Sequence, residues 1–117
     1  MHRYRDLKFW RESKELSVEI YRMTTGFPKE EKFGIVDQMR RASVSIPSNI
    51  AEGSSRNSNK DFNRFLGYSM GSAYELETQL EISKELGFVN SEDHEILSSK
   101  LIAIIKQMSK FRTNCLA

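Results

Sequence analysis

Hydrophobic residues recur along the chain at steps of three and four positions, which is the spacing of one face of an α-helix. Near the start, the residues on this face are Phe9, Leu16, Ile20, Met23 and Phe27. The pattern predicts a first helix from about Asp6 to Thr25, with the Asp6 side chain capping its N-terminus. Gly26 follows directly and is expected to end the helix in a left-handed turn.

A second helix is predicted from about Lys29 to Ala51 or Glu52, because the apolar stripe resumes there with the same period. Its members are Ile35, Met39, Ala42 and Ile46, followed by Asn49. Pro47 lies inside this stripe, where it removes one backbone hydrogen bond and predicts a kink. Gly53 is predicted to be the C-terminal cap of this helix.

Two longer helices complete the pattern. The third is predicted to begin at a capping pair formed by Ser58 and Asp61 and to end at Gly87. Its core positions are Phe62, Leu66, Ser69, Ala73, Leu76, Leu80 and Ser83. The fourth is predicted to begin after Asn90 or Ser91. Its core positions are Leu97, Leu101, Ile104, Met108 and Phe111.

Four helices joined by short connections are typical of an all-α protein, the antiparallel up-and-down four-helix bundle. The chain has 117 residues, which favours a single domain over residues 1–117. It contains only two prolines and six glycines, too few for the turns of a many-stranded β-sandwich.

The composition indicates the cellular compartment in which the protein is expected. Cys115 is the only cysteine, so no disulfide can form within the chain and a reducing cytoplasm is the natural expectation. The longest apolar run, Leu101 to Ile105, is far shorter than the roughly 20 residues that span a membrane. We therefore expect a soluble cytoplasmic protein with no membrane partner and no secretory signal.

The motifs of catalysis are missing. His2 and His94 are the only histidines, and neither completes a Glu-x-x-His pair or a His-Glu-x-x-His motif. The Gly-x-x-x-x-Gly-Lys phosphate-binding loop is also absent from the sequence. Cys115 lies near the C-terminus without a histidine nearby in sequence, which favours an inert thiol. We expect no catalytic residues, no metal, no cofactor and no small-molecule substrate, and hence a protein that is not an enzyme.

Charge is distributed unevenly, although the net charge is only +2. Residues 40–64 carry +3 and residues 65–97 carry −6. The cations of the basic block are Arg40, Arg41, Arg56, Lys60 and Arg64. These side chains are candidate nucleic-acid contacts, because Lys and Arg bind phosphates. The alternative is that they form salt bridges with the acidic third helix.

A pair of glycines four positions apart, Gly67 and Gly71, lies inside the third predicted helix. Each costs about 1 kcal/mol relative to alanine, and together they form a flat strip that some neighbour must contact closely. The neighbour is either another helix of the bundle or another subunit. Both glycines lie beside the main apolar stripe, which favours an oligomer contact.

Several motifs resemble, in order along the chain, one known family. They are Trp10, Phe27-Pro28-x-x-Glu31, Gln38-x-Arg40-Arg41-Ala42-x-x-Ser45-Ile46, Asn49-Ile50-Ala51-Glu52-Gly53, Phe62, Phe65-Leu66, Gly71-Ser72, Glu75-Leu76-Glu77 and Leu86-Gly87. The family is that of the four-helix-bundle proteins encoded in intervening sequences of bacterial 23S ribosomal RNA genes. The resemblance covers nearly the whole chain, and the Asn-Ile-Ala-Glu-Gly block is its most specific part.

The resemblance implies a ring-like homopentamer of antiparallel bundles. A more distant relative, the accessory protein of diversity-generating retroelements, is a basic pentamer that binds nucleic acid and a reverse transcriptase. Binding of RNA or DNA, most of all structured RNA, is therefore the leading hypothesis, and five copies of a basic patch would add avidity. The alternative is a protein-interaction or scaffold module without a nucleic-acid role. The expected oligomer-interface or family-motif positions are Asn49, Glu52, Gly53, Gly67, Gly71, Ser72 and Glu75.

Overall fold

The computed structural model, which describes residues 2–117, contains four long helices and two short 3-10 helices. The long helices are α1 (Lys8–Thr24), α2 (Ile35–Ser54), α3 (Asn59–Glu85) and α4 (Ser91–Cys115). The 3-10 helices are Tyr4–Asp6 and Lys29–Glu31. No strand occurs in this part of the chain.

Contacts between the helices show that neighbours run antiparallel. Phe62 near the start of α3 lies against Gly53 near the end of α2, and the Ser69 hydroxyl further along α3 donates to the Ile46 carbonyl earlier in α2 at 2.8 Å. Gln107 of α4 donates to Glu12 near the start of α1 at 2.6 Å, and Lys100 pairs with Glu19 further along α1 at 2.8 Å. The predicted all-α antiparallel four-helix bundle is confirmed.

One hydrophobic core runs through the bundle and includes residues of all four helices. Its most completely buried large side chains are Leu16, Ile20, Met39, Ile46, Ile50, Leu66, Leu76, Leu80, Leu101, Ile104 and Met108. Most of these are the positions that the three- and four-residue spacing predicts. Each contributes about 1.5–3 kcal/mol to folding by leaving water.

The helix ends of the second half of the chain follow the predictions. The Asp61 N–H donates to the Ser58 hydroxyl at 3.1 Å, and the Asp93 N–H donates to the Asn90 side chain at 2.8 Å. Gly87 has a φ of +78°, the left-handed conformation that ends α3.

The two ends of α1 differ from the predictions. Asp6 lies in the 3-10 helix, and Leu7 occupies the N-cap position without a side-chain cap. Gly26 does not adopt a positive φ. The Gly26 and Phe27 N–H groups instead donate to the Met23 and Thr24 carbonyls at 3.2 and 3.1 Å, so the last carbonyls of α1 are satisfied without a left-handed turn.

The start of α2 also lies later than predicted. Gly34 has a ψ of −116°, outside the helical range, so α2 begins at Ile35 and not at Lys29. Pro47 lies inside α2 as predicted, and its kink stays a prediction.

Gly53 is not a helix cap, because α2 continues to Ser54. Gly53 is buried against α3, and a Cβ at this position would lie 2.7 Å from the Phe65 Cβ and 2.9 Å from the Phe62 ring. The absence of a side chain therefore permits α2 and α3 to approach each other closely. None of the helices in the described part of the chain has the length and apolar content needed to cross a membrane.

Candidate nucleic-acid interface

The charges of the chain separate along the long axis of the bundle, which measures 43 Å. Because α1 and α3 begin where α2 and α4 end, residues 2–14, 52–64 and 106–117 meet at one end. These segments hold eleven Lys and Arg and four Asp and Glu, a net side-chain charge of +7. We call this surface the basic end. The opposite end, residues 15–41 and 75–100, carries −5 and is called the acidic end.

Aromatic rings join the three segments of the basic end. The His2 ring lies 5.7 Å from the Phe62 ring of α3 and 5.0 Å from the Phe111 ring of α4. Phe9 of α1 also contacts Phe111, at 5.4 Å. The cations of the three segments are therefore held on one packed surface.

Each of the four acids at the basic end lies beside a cation of its own segment. The pairs are Arg3–Asp6 at 3.9 Å, Lys8–Glu12 at 3.8 Å, Arg56–Glu52 at 2.7 Å and Arg64–Asp61 at 3.6 Å. Exposed pairs of this kind contribute about 0–1 kcal/mol each. Among residues 2–117, no carboxylate lies within 4.0 Å of the Lys60, Lys106 or Lys110 ammonium groups. The surplus positive charge thus faces solvent.

Arginines lie against aromatic rings at two places on this end. The Arg56 and Arg64 guanidinium carbons lie 4.8 and 5.1 Å from the Phe65 ring centre. The exposed Tyr68 ring lies 5.6 Å from the Phe65 ring and nearly perpendicular to it. We call these four residues the arginine–aromatic patch. The second place is the N-terminal segment, where Arg5 lies 5.4 Å from the Tyr4 ring and 5.5 Å from the Trp10 ring.

A polar cavity of about 290 Å³ opens beside the arginine–aromatic patch. Its lining residues are His2, Ser54, Arg56, Asn57, Ser58, Asn59 and Phe62. The amides, hydroxyls and guanidinium of this lining supply hydrogen-bond donors, which suits an anionic ligand such as a phosphate chain.

The structure divides the five cations that the sequence singles out. Arg56, Lys60 and Arg64 lie at the basic end, whereas Arg40 and Arg41 lie in the first third of α2. Fifteen positions separate Arg41 from Arg56, which is about 20 Å along a helix. One continuous patch of all five is therefore not formed within a single chain.

Arg40 has a structural role at the end of α1. Its Nε donates to the Thr24 hydroxyl at 2.9 Å, and its Nη2 donates to the Tyr21 carbonyl at 3.2 Å. Arg41 is exposed and pairs with Asp37 on its own helix at 3.3 Å. The sequence left open that these arginines form salt bridges with the acidic third helix. In the described residues neither arginine pairs with a carboxylate of α3.

Comparison with models of known protein families shows which family the chain belongs to. The model of the 23S rRNA-intervening sequence proteins matches residues 5–110. The chain belongs to this family. A crystal structure of a protein with unknown function from the S23 ribosomal protein family of Bacteroides thetaiotaomicron VPI-5482 has the same fold. Its TM-score is 0.82 at 24% sequence identity, covering 91% of this chain and 99% of that chain. No curated protein matches the chain significantly.

The glycines of this family member differ in their surroundings. A Cβ at Gly67 would lie 3.6 Å from the Arg112 guanidinium of α4. Arg112 lies across α3 here and donates to Asn63 at 2.6 Å. The neighbour of Gly67 is thus a side chain of the same chain, at an ordinary van der Waals distance. Gly71 has nothing within 4 Å of its Cβ position, so an oligomer contact at Gly71 stays a prediction.

The remaining motif positions form a polar connection between α2 and α3. Asn49 donates to the Ser45 carbonyl and hydroxyl, both at 2.9 Å, and the Ser72 hydroxyl donates to Ser45 at 2.8 Å. Glu75 lines a surface groove of about 310 Å³ at the same place. The remaining lining residues are Gln38, Arg41, Ala42, Ser45, Ser72 and Gln79.

His94 and Cys115 are placed too differently to act together. His94 is buried with its Nε2 3.1 Å from a Glu81 carboxylate oxygen, whereas Cys115 is exposed. Among the residues that the structure describes, no group of three or more His, Cys, Asp or Glu is placed to hold a metal ion. Neither family description names an enzymatic activity.

Proposed function

We propose that this protein is a non-catalytic, homo-oligomeric helical bundle that binds structured RNA through its basic end. The observation that carries the proposal is the collection of a +7 side-chain charge from three separate segments onto one end of the bundle. Phosphate contacts by Lys and Arg supply most of the affinity of such a surface and little base specificity.

The side chains set the electrostatic field at this end. Two helix N-termini and two helix C-termini lie at each end of an antiparallel bundle, so the helix dipoles largely cancel. The exposed ammonium groups of Lys60, Lys106 and Lys110 and the guanidinium groups near Phe65 then determine the local potential. RNA phosphates fit this potential.

Oligomerisation is the second part of the proposal, and the family resemblance makes a pentamer the expected state. Large apolar side chains outside the basic end support self-association: Phe33 is 87% exposed and Leu86 is 59% exposed. A closed ring of copies would repeat the basic end and convert weak phosphate contacts into avid binding.

A binding titration against a structured 23S rRNA fragment, repeated at several salt concentrations, tests the RNA part. We expect log affinity to fall linearly with log salt, with a slope that counts the phosphate contacts. The proposal is wrong if the protein does not bind this RNA even at low salt.

A protein-interaction or scaffold module is the second candidate. The opposite charges of the two ends favour it, because the basic end of one copy is complementary to the acidic end of another. In that case the copies would associate in a salt-dependent manner, as measured by light scattering, and RNA would neither bind nor compete.

A further inference from the structure

We infer that the arginine–aromatic patch, Arg56, Arg64, Phe65 and Tyr68, stacks an unpaired nucleobase, so that the basic end prefers RNA with unpaired nucleotides to a continuous duplex. This inference rests on the proposed function. It adds a base-stacking contact to the phosphate contacts and thereby defines the class of RNA that binds best.

The patch has an anchored part and an exposed part. Phe65 is half-buried against Gly53, with two guanidinium groups lying against its ring. Glu52 and Asp61 hold those guanidinium groups at 2.7 and 3.6 Å. Tyr68 packs on the edge of this cluster and is 51% exposed, so its ring presents a stacking surface to solvent.

Such a surface suits an unpaired base. Aromatic rings and arginine planes stack on the faces of nucleobases, and each stacked base adds to the binding affinity. All four bases have such a face, so stacking does not require a particular sequence. In a duplex the base faces are covered by their neighbours, so only a loop, bulge or single-stranded end can supply a free face. In the proposed complex Arg64, which lies one helical turn before Tyr68 on α3, contacts a phosphate of the same nucleotide.

Tyr74 provides a matched contrast on the same helix. It is 52% exposed, almost the same as Tyr68. Among residues 2–117, however, no cation and no other ring lies against it, and Glu75 and Glu77 are its neighbours in sequence. Loss of the Tyr74 ring therefore measures the effect of removing an exposed tyrosine outside the patch.

The experiment compares two RNA duplexes with the same number of phosphates, one continuously paired and one with an internal bulge. The wild-type protein is expected to bind the bulged RNA more tightly. Tyr68→Ala should lower affinity for the bulged RNA by about five- to 150-fold, the range that corresponds to the loss of one base–aromatic stack. Tyr68→Phe and Tyr74→Ala should retain the wild-type preference. The salt slope should stay unchanged in all three variants, because none removes a charge.

A fluorescent base analogue in the bulge reports stacking directly. We expect 2-aminopurine at this position to be quenched by the wild-type protein and by Tyr74→Ala, but not by Tyr68→Ala. Melting curves and the mass of the assembly are measured for each variant.

Three outcomes overturn the inference while leaving the proposed function intact. In the first, the wild-type protein binds the two RNAs with equal affinity and a normal salt slope. In the second, Tyr68→Ala and Tyr74→Ala have the same affinity for the bulged RNA. In the third, Tyr68→Ala loses affinity and its assembly mass also changes. The last would place Tyr68 at a contact between copies. Failure of the wild-type protein to bind either RNA overturns the proposed function, and this inference with it.

Discussion

The two ends of the bundle are built from the same parts and carry opposite charge. Each end contains two helix starts, two helix ends and their turns, yet the basic end carries +7 and the acidic end −5. The shared core does not require this separation, because the charged side chains lie outside it. Collecting like charges costs stability through their mutual repulsion. The charge pattern is therefore independent of the core packing, and the proposed function assigns RNA binding to the basic end alone.

The largest expected effect on stability comes from disturbing the packing beneath the basic end. Gly53→Ala places a Cβ 2.7 Å from the Phe65 Cβ, so α2 and α3 must separate. We expect overpacking to lower the free energy of unfolding by about 1–3 kcal/mol, although alanine has a higher helix propensity than glycine. Urea denaturation measures it. Unchanged or increased stability would show that Gly53 is not needed for the close approach of the two helices.

A substitution toward the acidic end should affect stability but not RNA binding. Arg40→Ala removes the hydrogen bonds to the Thr24 hydroxyl and the Tyr21 carbonyl, with an expected loss of about 1–2 kcal/mol. Its neighbour provides the control, since Arg41→Ala removes only an exposed pair with Asp37 and should change stability by about 0–1 kcal/mol. Thermal melting and RNA titration are measured for both. Weaker RNA binding by either folded variant would extend the RNA surface beyond the basic end.

The smallest effect is expected at Gly71, between the two ends. Its Cβ position is open, so Gly71→Ala should raise stability by about 0.4–1 kcal/mol with no effect on RNA affinity. Thermal melting measures the gain. Gly71→Leu then tests the predicted contact between copies: a smaller assembly in light scattering supports an interface at Gly71, and an unchanged mass contradicts it.

Local sequence patterns predicted the fold well, because core spacing and capping act over a few residues. The stripe from Phe62 to Leu80 and the caps at Ser58, Gly87 and Asn90 depend only on neighbours within a turn. The prediction of a cap at Gly53 is wrong because the constraint on this residue comes from Phe65 on another helix.

The candidate surface was only partly predictable for the same reason. The cations near both ends of the chain are visible in the sequence, but only the antiparallel topology brings Lys106 and Lys110 to the same end of the bundle as Lys60. Arg40 belongs to the predicted nucleic-acid contacts because it is a cation near the others in sequence. Its engagement with Tyr21 is a tertiary contact that the pattern of α2 does not encode.

The central claim is that the basic end binds RNA, and matched triple variants test it most directly. One variant replaces three exposed lysines of the basic end, Lys60→Gln, Lys106→Gln and Lys110→Gln, and the other replaces Lys29→Gln, Lys32→Gln and Lys84→Gln at the acidic end. Both lower the net charge equally. We predict that the basic-end variant binds the 23S rRNA fragment more weakly, with a salt slope lower by about three, and that the acidic-end variant matches the wild type. Equal weakening of both variants would contradict the account, because net charge and not the basic end would then determine binding.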